Sequence, residues 1–206
     1  AGHCPKFVFA SSIAVYGGVD EVTDETPVAP RLSYGAQKLV CEVLIDDYTR
    51  RGYVDGRALR LPAVIVRPGT ANTAVSGWSS AIIREPLAGR DYVCPVRPDT
   101  RLACISVKKV VESFIHAERL PAERLGGRRT LLLNGISISA QQMWDAVKSK
   151  ATGKVRFAPD PVIQPLMDRA PKKTFSKRSH GLGFPASASI EEIVREYEEA
   201  ALAHHG

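Results

Sequence analysis

The fold is decided by Lys6-Phe7-Val8-Phe9-Ala10-Ser11-Ser12, an apolar run with a polar exit, together with the later segment Ser33-Tyr34-Gly35-Ala36-Gln37-Lys38. The apolar run is short and rich in β-branched and aromatic residues, which predicts a fully buried parallel strand over residues 6–11. A strand of this kind, followed by a loop over residues 13–32 and then by a helix, is typical of α/β folds. Ligands bind to such folds at the edge where the parallel strands end.

The other elements are predicted by apolar periodicity and by capping residues. Residues 33–51 favour a helix with Gly52 at its C-terminal cap, because apolar residues recur there every 3.6 positions. These apolar positions are Ala36, Leu39, Val40, Val43 and Leu44. A second strand is predicted over residues 57–67, interrupted or ended by Pro62. Further on we expect a helix over 78–89, a short strand over 91–96, a helix from Ser106 to Ala117, a strand over 129–133, and helices capped by Ser139 and Ser189.

Composition and charge exclude some classes of protein. Hydrophobic residues make up 44% and charged residues 24% of the 206 residues, a length that suits one domain or one and a half. No apolar run approaches the roughly 20 residues that span a bilayer, so no membrane partner is predicted. The net charge of +6 suggests nucleic acid, but the basic residues are scattered and acidic residues interleave. We therefore expect no nucleic-acid partner. The positive charge is explained either by a solvated surface or by attraction for an anionic cofactor and substrate.

The cysteines predict a cytoplasmic protein without a metal site. Cys4, Cys41, Cys94 and Cys104 are widely spaced and form no C-x-x-C motif, which disfavours zinc. Free buried thiols are therefore expected rather than disulfides.

The candidate chemistry lies in Ser12, Tyr34 and Lys38. Tyr34 and Lys38 are four residues apart, so a helix places the phenol and the ammonium on one face. Ser12 ends the preceding strand, at the edge where ligands bind. The Lys38 cation favours the phenolate form of Tyr34, which can act as a general base. Together these groups can move a proton on or off a carbinol oxygen while a hydride leaves or arrives.

The wider motif resembles the extended short-chain dehydrogenase/reductase family, which includes nucleotide-sugar epimerases and dehydratases. The resemblance is carried by Ser11-Ser12-Ile13-Ala14-Val15-Tyr16-Gly17, Glu25-Thr26-Pro27, Tyr34-Gly35-Ala36-Gln37-Lys38 and the strand Arg60 to Gly69. It extends to Leu182-Gly183-Phe184 and to Ser189-Ile190-Glu191-Glu192, so it covers nearly the whole chain. It implies the C-terminal portion of a Rossmann-type parallel sheet with a small substrate-binding region.

The resemblance also implies residue roles around a nicotinamide cofactor, for which NAD is expected. Tyr34 takes the substrate proton, and Ser12 binds the same oxygen. Lys38 also binds the nicotinamide ribose, and Ser11 and Tyr34 line the cofactor site. Pro62 either faces the nicotinamide or simply breaks the strand, and the sequence supports these two interpretations equally.

A small sugar acid is the expected substrate, because a closer resemblance within the family is to sugar-acid oxidoreductases. Arg84 is the candidate ligand of its carboxylate, since a guanidinium pairs with a carboxylate through two parallel hydrogen bonds. The alternative for Arg84 is a surface position on an amphipathic helix. The resemblance places Asn72 and Ser76 on a substrate-facing loop. Nucleotide-sugar enzymes carry Asn-Val-Tyr-Gly-Pro after the second strand, whereas this chain has Pro62-Ala63-Val64-Ile65-Val66-Arg67-Pro68-Gly69.

A phosphate-binding glycine loop is absent from the sequence. None of the 16 glycines forms Gly-x-x-Gly-x-x-Gly, the pattern that lets a backbone approach pyrophosphate. The expectation is therefore a C-terminal part of a longer enzyme: residues 1–70 would hold half of a Rossmann-type domain and residues 71–206 a mixed substrate-binding region. Its open sheet edge would favour a homodimer. The alternatives are a nucleotide-sugar epimerase or dehydratase, and a catalytically silent binding module.

Overall fold

The structure is a computed structural model that describes residues 4–69 and 75–203. It is a mixed α/β fold, as predicted. Its strands are β1 (Lys6–Ser12), β2 (Glu21–Val22), β3 (Asp55–Leu61), β4 (Ala63–Ile65), β5 (Tyr92–Cys94), β6 (Arg101–Ser106), β7 (Thr130–Leu132), β8 (Ile136–Ser139), β9 (Val155–Phe157) and β10 (Lys173–Thr174). Its helices are α1 (Ser33–Arg50), α2 (Trp78–Leu87), α3 (Val107–Arg119), α4 (Ala122–Leu125), α5 (Ala140–Asp145), α6 (Ile163–Asp168), α7 (Lys177–Gly181) and α8 (Ile190–Ala203). Two short 3-10 helices span Ile13–Val15 and Val75–Gly77.

The first sheet is parallel and has the strand order β1-β3-β7. In its register Ser11 lies beside Arg60 and Ser12 beside Leu61, so β1 and β3 end together. Strand β7 comes from the second part of the chain and returns to pair with β3. The predicted boundary between regions near residue 70 remains a prediction.

Pro62 is the point at which the chain changes sheets. The predicted strand over residues 57–67 is in fact two strands, since β3 belongs to the first sheet whereas β4 pairs with β6. Strand β6 in turn pairs antiparallel with β8. A proline suits this position because it has no N–H to donate to a ladder. Pro62 is buried, and its ring leaves no room for a side chain at Gly135, where a Cβ would lie 2.8 Å from it.

Apolar burial holds the two three-stranded sheets in place. Leu59 of β3, Ile105 of β6 and Leu131 of β7 are fully buried in one cluster with Leu133. A second cluster gathers around β4 and α2 and includes Ile65, Ile82, Met143 and Ile193. Burying one such side chain contributes about 1.5–3 kcal/mol, so these clusters supply the main stabilisation of the fold.

The prediction that β1 is fully buried is wrong. Phe7 is 47% exposed, because among the described residues β1 has a paired strand on one side only. The helix predicted from the apolar period is present as α1, and its apolar residues Val40, Val43 and Leu44 are exposed. The buried positions of α1 are Gly35 and Glu42. Pairing of this open edge with a second copy of the chain remains a prediction.

The capping predictions are confirmed. The hydroxyl of Ser106 accepts a hydrogen bond from the amide of Lys109 at the start of α3. Ser139 and Gln142 form a complete capping box at α5. Ser189 accepts from the amide of Glu192, and Gly52 has a φ of 75° just beyond α1, a conformation that favours glycine.

The described residues contain neither a helix long and apolar enough to cross a bilayer nor a cluster of side chains suited to a metal ion. The four cysteines are free thiols. Cys94 and Cys104 are buried as predicted, whereas Cys4 is exposed and Cys41 half-buried. Burial raises the pKa of Cys94 to about 11, so this thiol stays protonated at neutral pH.

Candidate active site

The candidate site lies where β1 and β3 end. Ser12 is the last residue of β1 and caps the 3-10 helix that follows, because its Oγ accepts a hydrogen bond from the amide of Ala14 at 3.1 Å. Accepting this bond leaves the hydroxyl proton available to donate elsewhere. Ser12 is half-buried, so its hydroxyl sits at the edge of the sheet.

Helix α1 begins directly against this turn. A Cβ on Gly35 would lie 2.0 Å from the carbonyl oxygen of Ala14, so only glycine allows the contact. Gly35 follows Tyr34 in the chain, and the first turn of α1 is therefore fixed beside the 3-10 helix that Ser12 caps. The phenol of Tyr34 is 53% exposed and is open to a substrate.

Lys38 links α1 to β1. Its Nζ donates a hydrogen bond of 2.8 Å to the carbonyl of Ala10. The same Nζ lies 5.6 Å from the centroid of the Tyr34 ring and 4.7 Å from that of Phe9. An ammonium group has three donors, so Lys38 keeps further N–H groups for a ligand. The structure thus brings Ser12, Tyr34 and Lys38 to one end of β1.

Ser11 has a different environment from the one expected of a cofactor ligand. Its side chain is buried, and its hydroxyl donates to the carboxylate of Glu42 on α1. Arg60 on β3 donates to both oxygens of the same carboxylate, with Nη2 at 2.6 Å from Oε2. The Nη1 of Arg60 reaches the hydroxyl of Tyr16 at 2.7 Å. Sequence reasoning missed the roles of Glu42, Arg60 and the Tyr16 hydroxyl.

Pro62 follows Leu61, the register partner of Ser12. It therefore lies at the edge of the sheet next to the candidate site. Its burial and its place between two sheets account for the strand break. A role in facing a nicotinamide remains a prediction.

Of the three residues predicted to contact the substrate, Ser76 and Arg84 are among the residues that the structure describes. Asn72 lies outside the described residues. Ser76 is in the 3-10 helix before α2, and its carbonyl accepts a hydrogen bond of 2.7 Å from Ser79. Arg84 is not an exposed helical residue: its side chain is 8% exposed and its Nη2 lies 2.8 Å from Glu85. Its Nη1 donates to the carbonyl of Arg67 at 2.9 Å, so much of its donor capacity is already used.

The carboxylate of Glu85 is held ionised by these contacts. Burial acts to raise the pKa of Glu85, but hydrogen bonds from Arg90 and Arg84 outweigh it and lower the pKa below its ordinary value. Arg84 therefore has a structural partner that the sequence did not reveal, which disfavours the predicted contact with a substrate carboxylate.

Arg67 is a second arginine that sequence reasoning did not single out. It follows β4, and its amide donates to the hydroxyl of Ser80 at 3.1 Å. Its half-buried side chain has no hydrogen bond or ion pair among residues 4–69 and 75–203. In the sequence, this arginine was signalled only by its place directly after β4.

Two surface cavities lie elsewhere on the molecule. One, of about 180 Å³, is lined by residues that include Arg97, Arg101 and Lys172. The other, of about 320 Å³, is lined by residues that include Val22 and Phe175. Neither is lined by a predicted site residue, so the candidate site is an open edge of the sheet rather than one of these cavities.

Comparison with known proteins gives matches over most of the chain. Residues 1–122 match the NAD dependent epimerase/dehydratase family. A D-erythronate dehydrogenase of Cupriavidus necator is 42% identical over 98% of this chain and 64% of that protein. A D-erythronate dehydrogenase of Haemophilus influenzae is 38% identical over 94% of this chain and 64% of that protein. The chain thus spans 64% of the length of these two relatives.

A solved structure is also similar. The crystal structure of the nucleoside-diphosphate-sugar epimerase from Agrobacterium tumefaciens superposes with a TM-score of 0.92 at 38% identity, covering 98% of this chain and 61% of that one. An L-threonine dehydrogenase from Cupriavidus necator superposes with a TM-score of 0.83 at 21% identity, covering 94% of this chain and 64% of that one, which supports the fold alone.

Proposed function

Because this chain belongs to the NAD-dependent epimerase/dehydratase family, we propose that it carries the acid–base residues of a dehydrogenase that oxidises a secondary alcohol of a small sugar acid. D-erythronate is the first candidate, since two relatives at 42% and 38% identity bear the name D-erythronate dehydrogenase. The observation that carries the proposal is that Lys38, 5.6 Å from the Tyr34 ring centroid, bonds the Ala10 carbonyl of the strand that ends at Ser12.

Ser12, Tyr34 and Lys38 carry out the proton transfer of this reaction. The phenolic oxygen of Tyr34 accepts the proton of the substrate hydroxyl, while Ser12 donates a hydrogen bond to the same substrate oxygen as it becomes a carbonyl. The Lys38 ammonium lies 5.6 Å from the centroid of the Tyr34 ring, on the same side of the site. When bound, a nicotinamide cofactor supplies the acceptor for the hydride that leaves the substrate carbon, and NAD is our proposal for it. The uncommitted N–H groups of Lys38 and the apolar ring of Pro62 fit the nicotinamide end of such a cofactor.

The pyrophosphate end of the cofactor has no predicted site in the 206 residues. Glycine-loop amides at a helix N-terminus normally bind pyrophosphate, and the sequence holds no Gly-x-x-Gly-x-x-Gly. We therefore expect the 206-residue chain to bind NAD with a dissociation constant weaker than about 1 mM, or −4 kcal/mol. Isothermal titration calorimetry of the purified chain measures this value. A micromolar constant would contradict the expectation and place a complete cofactor site within these residues.

A nucleotide-sugar substrate is the second candidate. It is favoured by the similar structure from Agrobacterium tumefaciens, which is described as a nucleoside-diphosphate-sugar epimerase. The run from Pro62 to Gly69, which stands where nucleotide-sugar enzymes carry Asn-Val-Tyr-Gly-Pro, argues against it. Assays of the natural protein with D-erythronate and NAD, and separately with uridine-diphosphate sugars, distinguish the two. Sugar epimerisation without D-erythronate oxidation would favour the second candidate.

We propose Arg67, rather than Arg84, as the ligand of the substrate carboxylate. A charge-assisted hydrogen bond contributes roughly 1.5–3 kcal/mol. Arg67→Met is therefore expected to lower kcat/KM for D-erythronate about 10- to 100-fold, and to change kcat/KM for the neutral alcohol erythritol much less. Steady-state kinetics with both substrates measure the difference.

The matched comparison is Arg84→Met. Because Arg84 is paired with Glu85, its replacement should weaken the fold without discriminating between the acid and the alcohol. An acid-selective loss in Arg84→Met, with none in Arg67→Met, would reverse the assignment and return the role to Arg84.

A further inference from the structure

A buried polar cluster joins the three elements that carry the candidate site. It consists of Glu42 on α1, Arg60 on β3, Ser11 on β1 and Tyr16 in the loop after the 3-10 helix. The Glu42 carboxylate accepts from the hydroxyl of Ser11 and from Nε and Nη2 of Arg60, the latter at 2.6 Å. The Nη1 of Arg60 donates to the Tyr16 hydroxyl at 2.7 Å, and the Arg60 Cζ lies 5.1 Å from the centroid of the Tyr16 ring.

The cluster is largely buried. The side chain of Glu42 is 4% exposed and that of Arg60 is 12% exposed. Burial acts to lower the pKa of Arg60, but the hydrogen bond with Glu42 and the attraction of Tyr16 and Glu42 outweigh it and raise that pKa. Burial raises the pKa of the Tyr16 hydroxyl, although Arg60 opposes the rise, so this hydroxyl stays neutral. A buried charge pair tolerates little displacement, because moving one partner leaves the other charge unpaired.

Glu42, Ser11 and Tyr16 are each close in the chain to a candidate catalytic residue. Glu42 follows Lys38 by one helical turn, and Lys38 follows Tyr34 by another. Ser11 precedes Ser12, and Tyr16 follows the 3-10 helix that Ser12 caps. Helix α1 is thus attached to β1 at two places, by Lys38 at the Ala10 carbonyl and by Glu42 at the Ser11 hydroxyl. Two attachment points prevent the helix from rotating about either one.

We propose that Glu42 is a positioning residue, which acts through Ser11, Arg60 and Tyr16 to hold α1 in the orientation that presents Tyr34 and Lys38 to Ser12. The inference rests on the proposed function, because positioning matters only if these three residues react. Glu42 itself does not touch the reacting atoms. Its carboxylate fixes the helix by neutralising Arg60 between the helix and the sheet.

The test replaces the carboxylate by an amide. Displacing a reacting group by about 1 Å costs up to roughly 100-fold in rate. In the natural protein, Glu42→Gln is therefore expected to lower kcat for D-erythronate oxidation by about 10- to 100-fold with little change in KM. Glu42→Asp keeps the charge and should recover part of the lost kcat. If Glu42→Gln does not fold, Tyr16→Phe replaces it, because it removes one hydrogen bond and leaves the Glu42–Arg60 pair; a smaller loss of kcat is then expected.

The matched control is Asp55→Asn, which weakens an ion pair with Arg57 and Arg129 at the opposite end of β3. It should lower stability and leave kcat unchanged. A Glu42→Gln variant with wild-type kcat, or with a loss no larger than that of Asp55→Asn, overturns the proposal.

A second measurement does not depend on activity. Hydrogen–deuterium exchange of the backbone amides of residues 37–46 is expected to be faster in Glu42→Gln than in Asp55→Asn, because only the former releases α1. Equal rates overturn the proposal. If the natural protein shows no dehydrogenase activity, only the proposed function is refuted. The exchange measurement then decides whether Glu42 holds α1 in place.

Discussion

Replacing Tyr34 with phenylalanine is expected to lower kcat for D-erythronate oxidation by about 100- to 10,000-fold, the range that general acid–base groups contribute. The substitution removes only the phenolic oxygen that accepts the substrate proton. The aromatic ring and its approach to Lys38 Nζ, 5.6 Å from the ring centroid, remain. Affinity for the cofactor should therefore change little. Steady-state kinetics of the natural protein, with cofactor binding followed by fluorescence, measure both quantities.

Tyr48→Phe is the matched control, because it makes the same chemical change on the same helix. Tyr48 is exposed near the far end of α1, where its ring contacts that of Tyr53 edge-on. Within residues 4–69 and 75–203 its side chain has no hydrogen bond or ring contact with a residue of the candidate site, so its replacement should leave kcat unchanged. Normal turnover in Tyr34→Phe would refute the proposed site, whatever the result for Tyr48→Phe.

The sequence predicted those elements whose signals are local. Strand β1, helix α1 and the break at Pro62 each follow from a short run of residues, and each is present. Strand β6 was not predicted, although its Leu102 to Ile105 segment is fully buried and ends at Ser106 much as β1 ends at Ser12. That run has alanine and cysteine at its centre, which are weaker strand signals than the Phe7-Val8-Phe9 segment of β1.

The orientation of α1 shows where apolar periodicity is insufficient. The period correctly predicted a helix, but Val40, Val43 and Leu44 point away from the sheet while the charged Glu42 points into it. Periodicity reports that one face of a helix is apolar and does not say what covers that face. A glutamate normally belongs on the outside, and only the partner on β3 makes its burial favourable.

The same limit applies to the candidate site. Ser12, Tyr34 and Lys38 were recognisable because their spacing is set by one strand and one helix. Glu42 and Arg60 each resemble ordinary surface charges in the sequence. They meet only because β3 pairs with β1 in the register that sets Arg60 beside Ser11. Non-local pairing of this kind is determined by the tertiary structure and leaves no local pattern to read.

The largest expected effect on stability comes from Arg57, whose side chain is fully buried on β3. Its guanidinium donates to the carbonyls of Ala117 and Leu120 at the end of α3 and to the carboxylate of Asp55. Carbonyls at a helix C-terminus have no partner within the helix, and a cation there also interacts favourably with the helix dipole. Arg57→Met is expected to lower the free energy of unfolding by about 3–5 kcal/mol. Urea denaturation followed by circular dichroism measures it.

The loss should come mainly from the two carbonyls, because Asp55 keeps an ion pair with Arg129 after the substitution. Arg57→Lys should therefore recover little of the stability, since one ammonium cannot span both carbonyls and the carboxylate as the guanidinium fork does. Arg50→Met is the matched control: its arginine is 68% exposed and pairs with Asp47, so its removal should cost less than about 1 kcal/mol. Equal losses in Arg57→Met and Arg50→Met would contradict the assigned role, because burial would then make no difference to what the arginine contributes.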